Sequence, residues 1–422
     1  MIRREAGFTL VELMITMVIF VFVIAAASQI FVGLLTQFKQ QSTIAETNIE
    51  GIVGLNIMRR DIENAGYGLP WTLPPAWLIP PCNAGYLEAG SAGVTILATP
   101  WTEINFNDGP PTNPTRGTDL ANACNSPAAI RSGDQACPAA SACPEDADVL
   151  IIKSTSAAAA QNNASHKWTY VEPGNTVKEW DVLGERLNNN DRVIVLSLTD
   201  TYPRGLIVDS GSFTTRYNAT TAPDSLVDAA FAPLDTTDPR VVYGIDNPAA
   251  GVALRLPFNR ADFYVRTPGT MPTKCAAGTG ILYKATVNHG DDPATAAVEV
   301  AGDLTELPLL DCVADMQAYY RLDTDDNGTV DSDVNSIAGL TAEEIRTQLR
   351  EIRVYVLAHE GQRDPNFTFN NFTGASTCAT CIRVGQSAIL GRDFDLLTIT
   401  DTNRLNYRWK VYTIVVQTKN LR

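Results

Sequence analysis

The chain has 422 residues and a net charge of −15 at pH 7, from 47 acidic and 32 basic side chains. This length exceeds one ordinary domain, and beyond a helical N-terminus about 350 residues remain for one large or two closely joined domains. The acidity argues against a nucleic-acid-binding surface and fits either metal binding or simple solubility.

A nearly unbroken apolar run follows a short charged leader at the N-terminus. Only a few polar or small residues interrupt the run between Leu13 and Leu35, and about 23 helical residues span the roughly 30 Å of a bilayer core. Residues 8–36 are therefore expected to form a transmembrane helix, with the leader arginines on the cytoplasmic side. Glu12 is the only carboxylate in this segment. A charge at the bilayer centre costs about 2.5 kcal/mol or more and usually has a partner.

The junction between leader and helix carries a specific motif. The small pair Ala6-Gly7 comes before the apolar run, whereas a secretory signal peptide has its cleavage site after the run. Residues 7–13 read Gly-Phe-Thr-Leu-Val-Glu-Leu and resemble throughout the class III signal of type IV prepilins and pseudopilins. The resemblance implies that prepilin peptidase removes residues 1–7 by cleavage between Gly7 and Phe8, and methylates the new amino terminus.

The same resemblance implies a partner for Glu12, namely the methylated amine of Phe8 on the same or a neighbouring subunit. Glu12 is then an assembly contact. A plain N-terminal membrane anchor explains the apolar length and the leader arginines equally well, but it leaves this carboxylate without a partner.

The helical pattern continues beyond the membrane segment, through residues 37–69. Small and apolar residues recur there at spacings of four and three, at Gly51, Leu55, Met58, Ile62 and Ala65. The opposite side is polar, with Glu46, Asn56, Arg60 and Glu63. This half is therefore expected to lie against a globular domain. Gly66 and Pro70 are the residues expected to end the helix.

After this helix, the pattern of residues 70–422 predicts a β-rich globular domain. The proline-dense stretch 70–81 cannot be helical. Strands are predicted at 94–98, 148–153, 168–171, 192–198, 205–208, 241–244, 261–266, 281–287 and 352–358. A capping box at Thr341 predicts a short helix, and the segment 409–417, apolar on both faces, suits a central strand. The expected fold class is α+β: a long N-terminal helix packed on a mostly antiparallel, β-rich domain.

Eight cysteines in a chain that is mostly translocated indicate disulfides formed outside the cytoplasm, with the pairing left open. They are Cys82, Cys124, Cys137, Cys143, Cys275, Cys312, Cys378 and Cys381. Three of them fall in the loop 107–146, which is rich in proline, glycine and alanine and is expected to be held by disulfides. The Cys-x-x-Cys pair near the C-terminus lies in a loop rich in glycine, asparagine and threonine. A structural disulfide is therefore favoured there over a redox centre.

An acidic loop at residues 323–333 places oxygen ligands at alternate positions with glycine at the sixth, as in the first half of an EF-hand. The EF-hand needs a glutamate at the twelfth position, where this chain has Val334. The loop instead resembles the DxDxNGxxD calcium loops of pilus-associated proteins. The candidate ligands are Asp323, Asp325, Asn327, the carbonyl of Thr329, Asp331 and Asp333. Because these acids repel one another, a structural Ca²⁺ is favoured over a solvated acidic turn.

Three further stretches resemble PilW-type minor pilins, at 58–67, at 315–320 and at 349–359 together with 409–416. The resemblance implies a minor pilin at or near the tip of a type IV pilus that helps to initiate assembly. Its implied partners are other minor and major pilins, prepilin peptidase, the inner-membrane assembly platform and a PilY-type tip adhesin. The implied location is the inner membrane with a periplasmic domain, then the pilus on the cell surface. Residues 81–304 are not placed by the resemblance.

Three other functions stay open. A type II secretion pseudopilin of the GspJ kind shares the N-terminus and the long helix. A pilus-tip adhesin would use the loop 107–146 or the loop 366–373 as its contact surface. A membrane-anchored periplasmic enzyme lacks support, because the chain has no GxSxG, HExxH or P-loop motif, and no catalytic residue is assigned.

Overall fold

The computed structural model describes residues 9–74, 86, 126–134, 144, 146–157, 164–200, 202–220, 222–247, 254–289, 304–375, 378–387 and 390–421. Several expectations lie outside the described residues: the cleavage junction at Gly7 and Phe8, the strand at 94–98, most of the loop 107–146, and the first four cysteines. The described ranges contain the long N-terminal helix and the strands of the β-rich domain.

The N-terminal helix α1 (Leu10–Glu63) is one continuous element of 54 residues, about 80 Å long at 1.5 Å per residue. Thr9 caps its first turn. The helix ends before residue 69, because the chain turns at Asn64 and then adopts left-handed backbone at Gly66, with φ of +78°. A side chain at Gly66 would also meet Leu421, with Cβ 2.8 Å from its Cδ2 atom.

Apart from short 3-10 turns, the other elements among the described residues are one short α-helix and seventeen strands. They are, in chain order, β1 (Ile130–Asp134), β2 (Asp148–Ser154), β3 (Trp168–Glu172), β4 (Thr176–Val177), β5 (Arg192–Thr199), β6 (Tyr202–Leu206), β7 (Thr215–Asn218), β8 (Ser225–Leu226), β9 (Arg240–Asp246), β10 (Asn259–Arg266), β11 (Gly280–Val287), β12 (Leu304–Leu322), β13 (Ser332–Val334), α2 (Ala342–Gln348), β14 (Leu349–Glu360), β15 (Cys381–Gly385), β16 (Gly391–Asp395) and β17 (Arg408–Gln417). The expected α+β class is confirmed.

The main sheet is antiparallel, in the order β1-β2-β10-β11-β12-β14-β17, with β13 beside β12. A second antiparallel sheet has the order β4-β3-β9-β5-β7-β8, with β6 beside β5, and β15 and β16 form a separate hairpin. The second sheet comes entirely from the stretch that the minor-pilin resemblance leaves unplaced. That stretch also supplies β1, β2, β10 and β11 to the main sheet.

The membrane-distal half of α1 packs on the main sheet through its small and apolar stripe. The five stripe residues from Gly51 to Ala65 are all buried, while every described side chain from Leu10 to Leu35 is exposed. Gly54, beside the stripe, passes so close to β12 that an added Cβ would lie 2.0 Å from the carbonyl oxygen of Leu309. Buried Asp61 forms an ion pair with Lys284 of β11 at 2.6 Å.

The predicted strands that fall within the described residues occur near their expected positions, with β6 beginning earlier than the predicted 205–208. Seven shorter strands were not predicted, namely β1, β4, β7, β8, β13, β15 and β16. Two larger features also depart from expectation. The longest strand, β12, was not predicted, because Pro308, Cys312 with φ of +58° and a register shift after Val313 interrupt its pattern. The expectation of a central strand at 409–417 is wrong, because β17 is at the end of the sheet order among the described strands. One of its faces packs in the core that contains the α1 residues. On the other face, Trp409 and Val411 pack with apolar residues of the β15–β16 hairpin.

Candidate functional sites

The N-terminus of α1 places Glu12 in a capping box with Thr9. The Thr9 hydroxyl accepts a hydrogen bond from the Glu12 backbone N–H at 3.2 Å. The Glu12 carboxylate in turn accepts from the Thr9 backbone N–H and from the Thr9 hydroxyl, each at 2.9 Å. A capping box satisfies amide groups that have no partner within the helix. Glu12 thus lies in the first turn, next to the position where a mature chain would start, and its side chain is exposed.

The apolar part of α1 has the dimensions of a membrane span. Among the described residues, α1 is the one helix that is long and apolar enough to cross a bilayer. None of the side chains in its most apolar window is buried against the protein. An exposed apolar surface of this extent requires a bilayer or other helices to cover it.

The acidic loop brings three of its predicted ligands together. Carboxylate oxygens of Asp323, Asp325 and Asp331 lie within 4.8 Å of one another. The Asn327 amide reaches the same cluster by donating to Asp325 at 2.9 Å. Left-handed backbone at Gly328, with φ of +88°, forms the turn. Hard oxygen ligands in this arrangement fit Ca²⁺ better than a thiophilic metal.

Asp323 is the anchor of this loop. Its side chain is fully buried and accepts backbone N–H bonds from Asn327 at 3.0 Å and from Gly328 at 2.9 Å. Arg350 of β14 donates to the same carboxylate through Nε at 2.9 Å. A guanidinium from β14 therefore already pairs with the loop, and any metal ion would share Asp323 with it.

Several predicted ligands of the loop also have protein partners of their own. Asp331 accepts from the Thr324 backbone N–H and hydroxyl at 3.1 and 2.8 Å, and these bonds hold the pKa of Asp331 below its usual range. Thr329 donates its backbone N–H to the Asn327 amide oxygen at 2.8 Å. The backbone carbonyl of Thr329 is therefore the group to consider as a metal ligand. Asp333 lies on β13 and pairs with Arg321 at 2.9 Å, apart from the converging carboxylates.

Two disulfides connect described residues. Cys275 and Cys312 join the segment before β11 to the bulge of β12, across 37 residues of sequence. Cys378 and Cys381 are bonded to each other at the start of β15. The second pair is the expected disulfide of the Cys-x-x-Cys motif, whereas nothing in the spacing of the eight cysteines pointed to the first.

A group of buried acids around β12 was not predicted from the sequence. Asp148 and Asp315 are 7 % and 0 % exposed, and both lie within strands that are otherwise mostly apolar. For Asp315 the signal was present, since an acid in the middle of an apolar strand is unusual, whereas Asp148 is the first residue of β2. It could not be interpreted without knowing which other groups surround each one.

A family model described as "Prokaryotic N-terminal methylation motif" matches residues 2–28. No curated protein and no solved structure matches the chain significantly. The motif implies processing by prepilin peptidase and assembly with other pilins, and the apolar helix beneath it fits membrane anchoring. Together they indicate a structural pilin-like protein in preference to an enzyme. The matched motif, on a long helix that carries a β-rich domain, supports a type IV pilin or pseudopilin.

Proposed function

We propose that the protein is a minor pilin of a type IV pilus, incorporated at or near the tip, where it helps to initiate assembly. The observation that carries this proposal is the methylation motif at residues 2–28 on a helix whose second half packs one face against a β-rich domain. A helix exposed in its first half and packed in its second half presents an apolar rod for assembly with other subunits. The domain would remain outside the membrane, first in the periplasm and then on the pilus.

Processing and assembly would use the first helical turn. Prepilin peptidase would cleave between Gly7 and Phe8 and methylate the amine of Phe8. That amine is adjacent to Thr9, whose backbone N–H already bonds to Glu12. Because an ionised carboxylate in an apolar environment needs a compensating charge, Glu12 would pair with this amine on its own or a neighbouring subunit.

The partners would be other minor and major pilins, the inner-membrane assembly platform and a PilY-type tip adhesin. Deletion of the gene tests the assignment: surface pili should be lost while secretion of exoproteins stays normal. Normal pili with lost secretion would overturn it in favour of a GspJ-like pseudopilin. Normal pili with lost surface binding, reproduced by deletion of residues 107–146, would favour an adhesin.

Complementation with point variants tests the role of Glu12. The Glu12→Ala chain should be made, cleaved and anchored in the membrane, but should be absent from sheared pili. Glu46→Ala is the matched control, because this carboxylate is also exposed on α1 but lies beyond the membrane segment. Equal amounts of both variants in pili would contradict the assembly role.

We also propose that the acidic loop binds a structural Ca²⁺. The ligands would be Asp323, Asp325, Asn327, Asp331 and the carbonyl of Thr329. The ion would neutralise the negative charge of the loop carboxylates, which Arg350 neutralises only in part. The support is the convergence of three carboxylates within 4.8 Å on a loop with the alternating pattern of calcium sites.

A calcium titration of the full-length protein in detergent tests this site. A Ca²⁺ concentration 100-fold above the Kd should stabilise the protein by about 2.7 kcal/mol and raise its Tm. Asp325→Ala should abolish the shift, whereas Asp333→Asn should keep it, because Asp333 is paired with Arg321. An unchanged Tm in wild type, or a shift that survives Asp325→Ala, would contradict the proposal.

A further inference from the structure

One edge of β12 lacks a strand partner in its middle, and side chains close the gap. On this edge the β11 ladder ends at Val313 and the β13 ladder begins at Tyr320, among the described residues. Across the gap, the backbone N–H of Ala318 donates to the carboxylate of Asp148 at 2.7 Å. The Gln317 amide donates to the carbonyl oxygen of Asp146 at 2.8 Å. We name this junction of β12 residues 314–319 with residues 146–148 the seam.

The seam contains several acids and one described basic group. Asp148 is the cross-strand partner of Asp134 on β1, and like charges placed directly opposite each other in a sheet are destabilising. Asp315 is fully buried, and its Oδ2 atom has no hydrogen-bond partner among the described residues. Arg392 lies on β16. One of its terminal nitrogens is 3.6 Å from a carboxylate oxygen of Asp315, and the other is 3.4 Å from a carboxylate oxygen of Asp146.

These contacts decide which acids can ionise together. Burial raises the pKa of Asp148 to about 8, with further increases from Asp315 and Asp134 that the Ala318 N–H and Arg392 oppose. Burial raises the pKa of Asp315 to about 6, and Arg392 opposes that increase. The phenols of Tyr319 and Tyr320 also face this group, and burial raises the pKa of each, so both stay neutral.

We propose that the seam is a proton-operated latch, in which Asp148 holds a proton while residues 146–148 are closed on β12 and releases it when the seam opens. In the closed state a neutral Asp148 accepts the Ala318 N–H without repelling Asp134 or Asp315. After ionisation one described guanidinium faces several carboxylates, and opening to water relieves the repulsion. A rise in pH between 6 and 8 would therefore loosen this junction, and with it the contact to the β15–β16 hairpin.

The direction of the pH dependence of seam opening follows from the difference in proton binding between the closed and open states. The pKa of Asp148 is higher in the closed seam than in water, so the closed state binds more protons and is favoured at lower pH. Between the two pKa values, opening releases one proton, which changes the opening equilibrium constant by about tenfold per pH unit. The constant should therefore rise by up to about 100-fold from pH 6 to pH 8 and level off above the closed-state pKa.

Hydrogen–deuterium exchange of the full-length protein in detergent tests the latch. After correction for the intrinsic pH dependence of exchange, the opening constant for peptides covering the seam should rise steeply between pH 6 and 8. In Asp148→Asn, whose amide keeps an acceptor for Ala318 and cannot ionise, it should be flat over the same range. Peptides of β5 and β9 in the second sheet are the internal control and should show no such rise.

A flat response in wild type, or an equal slope in Asp148→Asn, would overturn the proposal. If Asp148→Asn does not fold, Asp134→Asn gives a second test at an exposed position. Removing that charge should reduce opening at pH 8 while some pH slope remains. Infrared spectroscopy gives an independent readout, since wild type should show a protonated carboxyl band at pH 6 that is lost by pH 9 and that is weaker in Asp148→Asn. Absence of this band would also overturn the proposal.

Discussion

Replacing Lys284 by methionine should weaken the attachment of α1 to the main sheet. Lys284 is 4 % exposed and Asp61 is 8 % exposed, and the Nζ and Oδ2 atoms are 2.6 Å apart. Removal of one partner from a buried ion pair leaves an uncompensated charge and typically costs about 3–5 kcal/mol. We therefore expect Lys284→Met to lower the free energy of unfolding by this amount at pH 8, measured by guanidinium denaturation of the full-length protein in detergent.

The loss should depend on pH. Burial raises the pKa of Asp61, and Lys284 is the main opposing influence, so Asp61 in Lys284→Met would take up a proton more readily. A carboxyl group whose folded pKa is raised contributes stability at low pH that is lost as pH rises. The variant should consequently be less destabilised at pH 5 than at pH 8.

Two further variants test the prediction for Lys284→Met. The double variant Asp61→Leu with Lys284→Met removes both charges and should recover most of the lost stability. Lys410→Met breaks the Lys410–Glu360 pair at 2.7 Å, in which the lysine side chain is 45 % exposed, and should cost at most about 1 kcal/mol. A Lys284→Met loss as small as that of Lys410→Met, or a double variant as unstable as the single one, would refute the argument.

Three further variants test other parts of the fold. Gly54→Ala should destabilise the protein by about 1–3 kcal/mol or more in the same denaturation assay, because its Cβ would lie 2.0 Å from the Leu309 carbonyl oxygen. Gly33→Ala is the control, because a Cβ at this position would have no described atom within 4 Å. Loss of the Cys275–Cys312 disulfide, whose cysteines are 37 residues apart, should lower the free energy of unfolding by about 4 kcal/mol. Loss of the Cys378–Cys381 disulfide, with a separation of 3 residues, should lower it by about 2 kcal/mol. Equal losses would contradict this prediction. Burial lowers the pKa of His289 to about 3, so the unfolded chain takes up a proton at this residue as pH falls from about 6.5. The free energy of unfolding of wild type should therefore fall by up to about 1.4 kcal/mol per pH unit more than that of His289→Gln.

Local patterns in the sequence were sufficient for the elements that depend on near neighbours along the chain. The motif around Glu12, the buried stripe from Gly51 to Ala65 and the capping box at Thr341 all rest on spacings within a few helical turns, and the structure has α1 and α2 at these positions. The alternating oxygen ligands of the acidic loop were legible for the same reason. Most strands of the second sheet could be located, but not assigned to a sheet.

Pairing between distant segments decided the rest. Nothing local indicates that β12 binds β11 with its first half and β14 with its second half, that β17 ends the sheet, or that Cys275 bonds Cys312. The meaning of Asp148 likewise depends on Ala318, a residue 170 positions away. The sequence by itself determined the long helix, its membrane half and its processing motif, because these follow from short-range periodicity and from the hydrophobic length of a bilayer. Only the tertiary structure decided strand order and the protonation of buried acids, because both depend on which groups long-range packing brings together and withdraws from water.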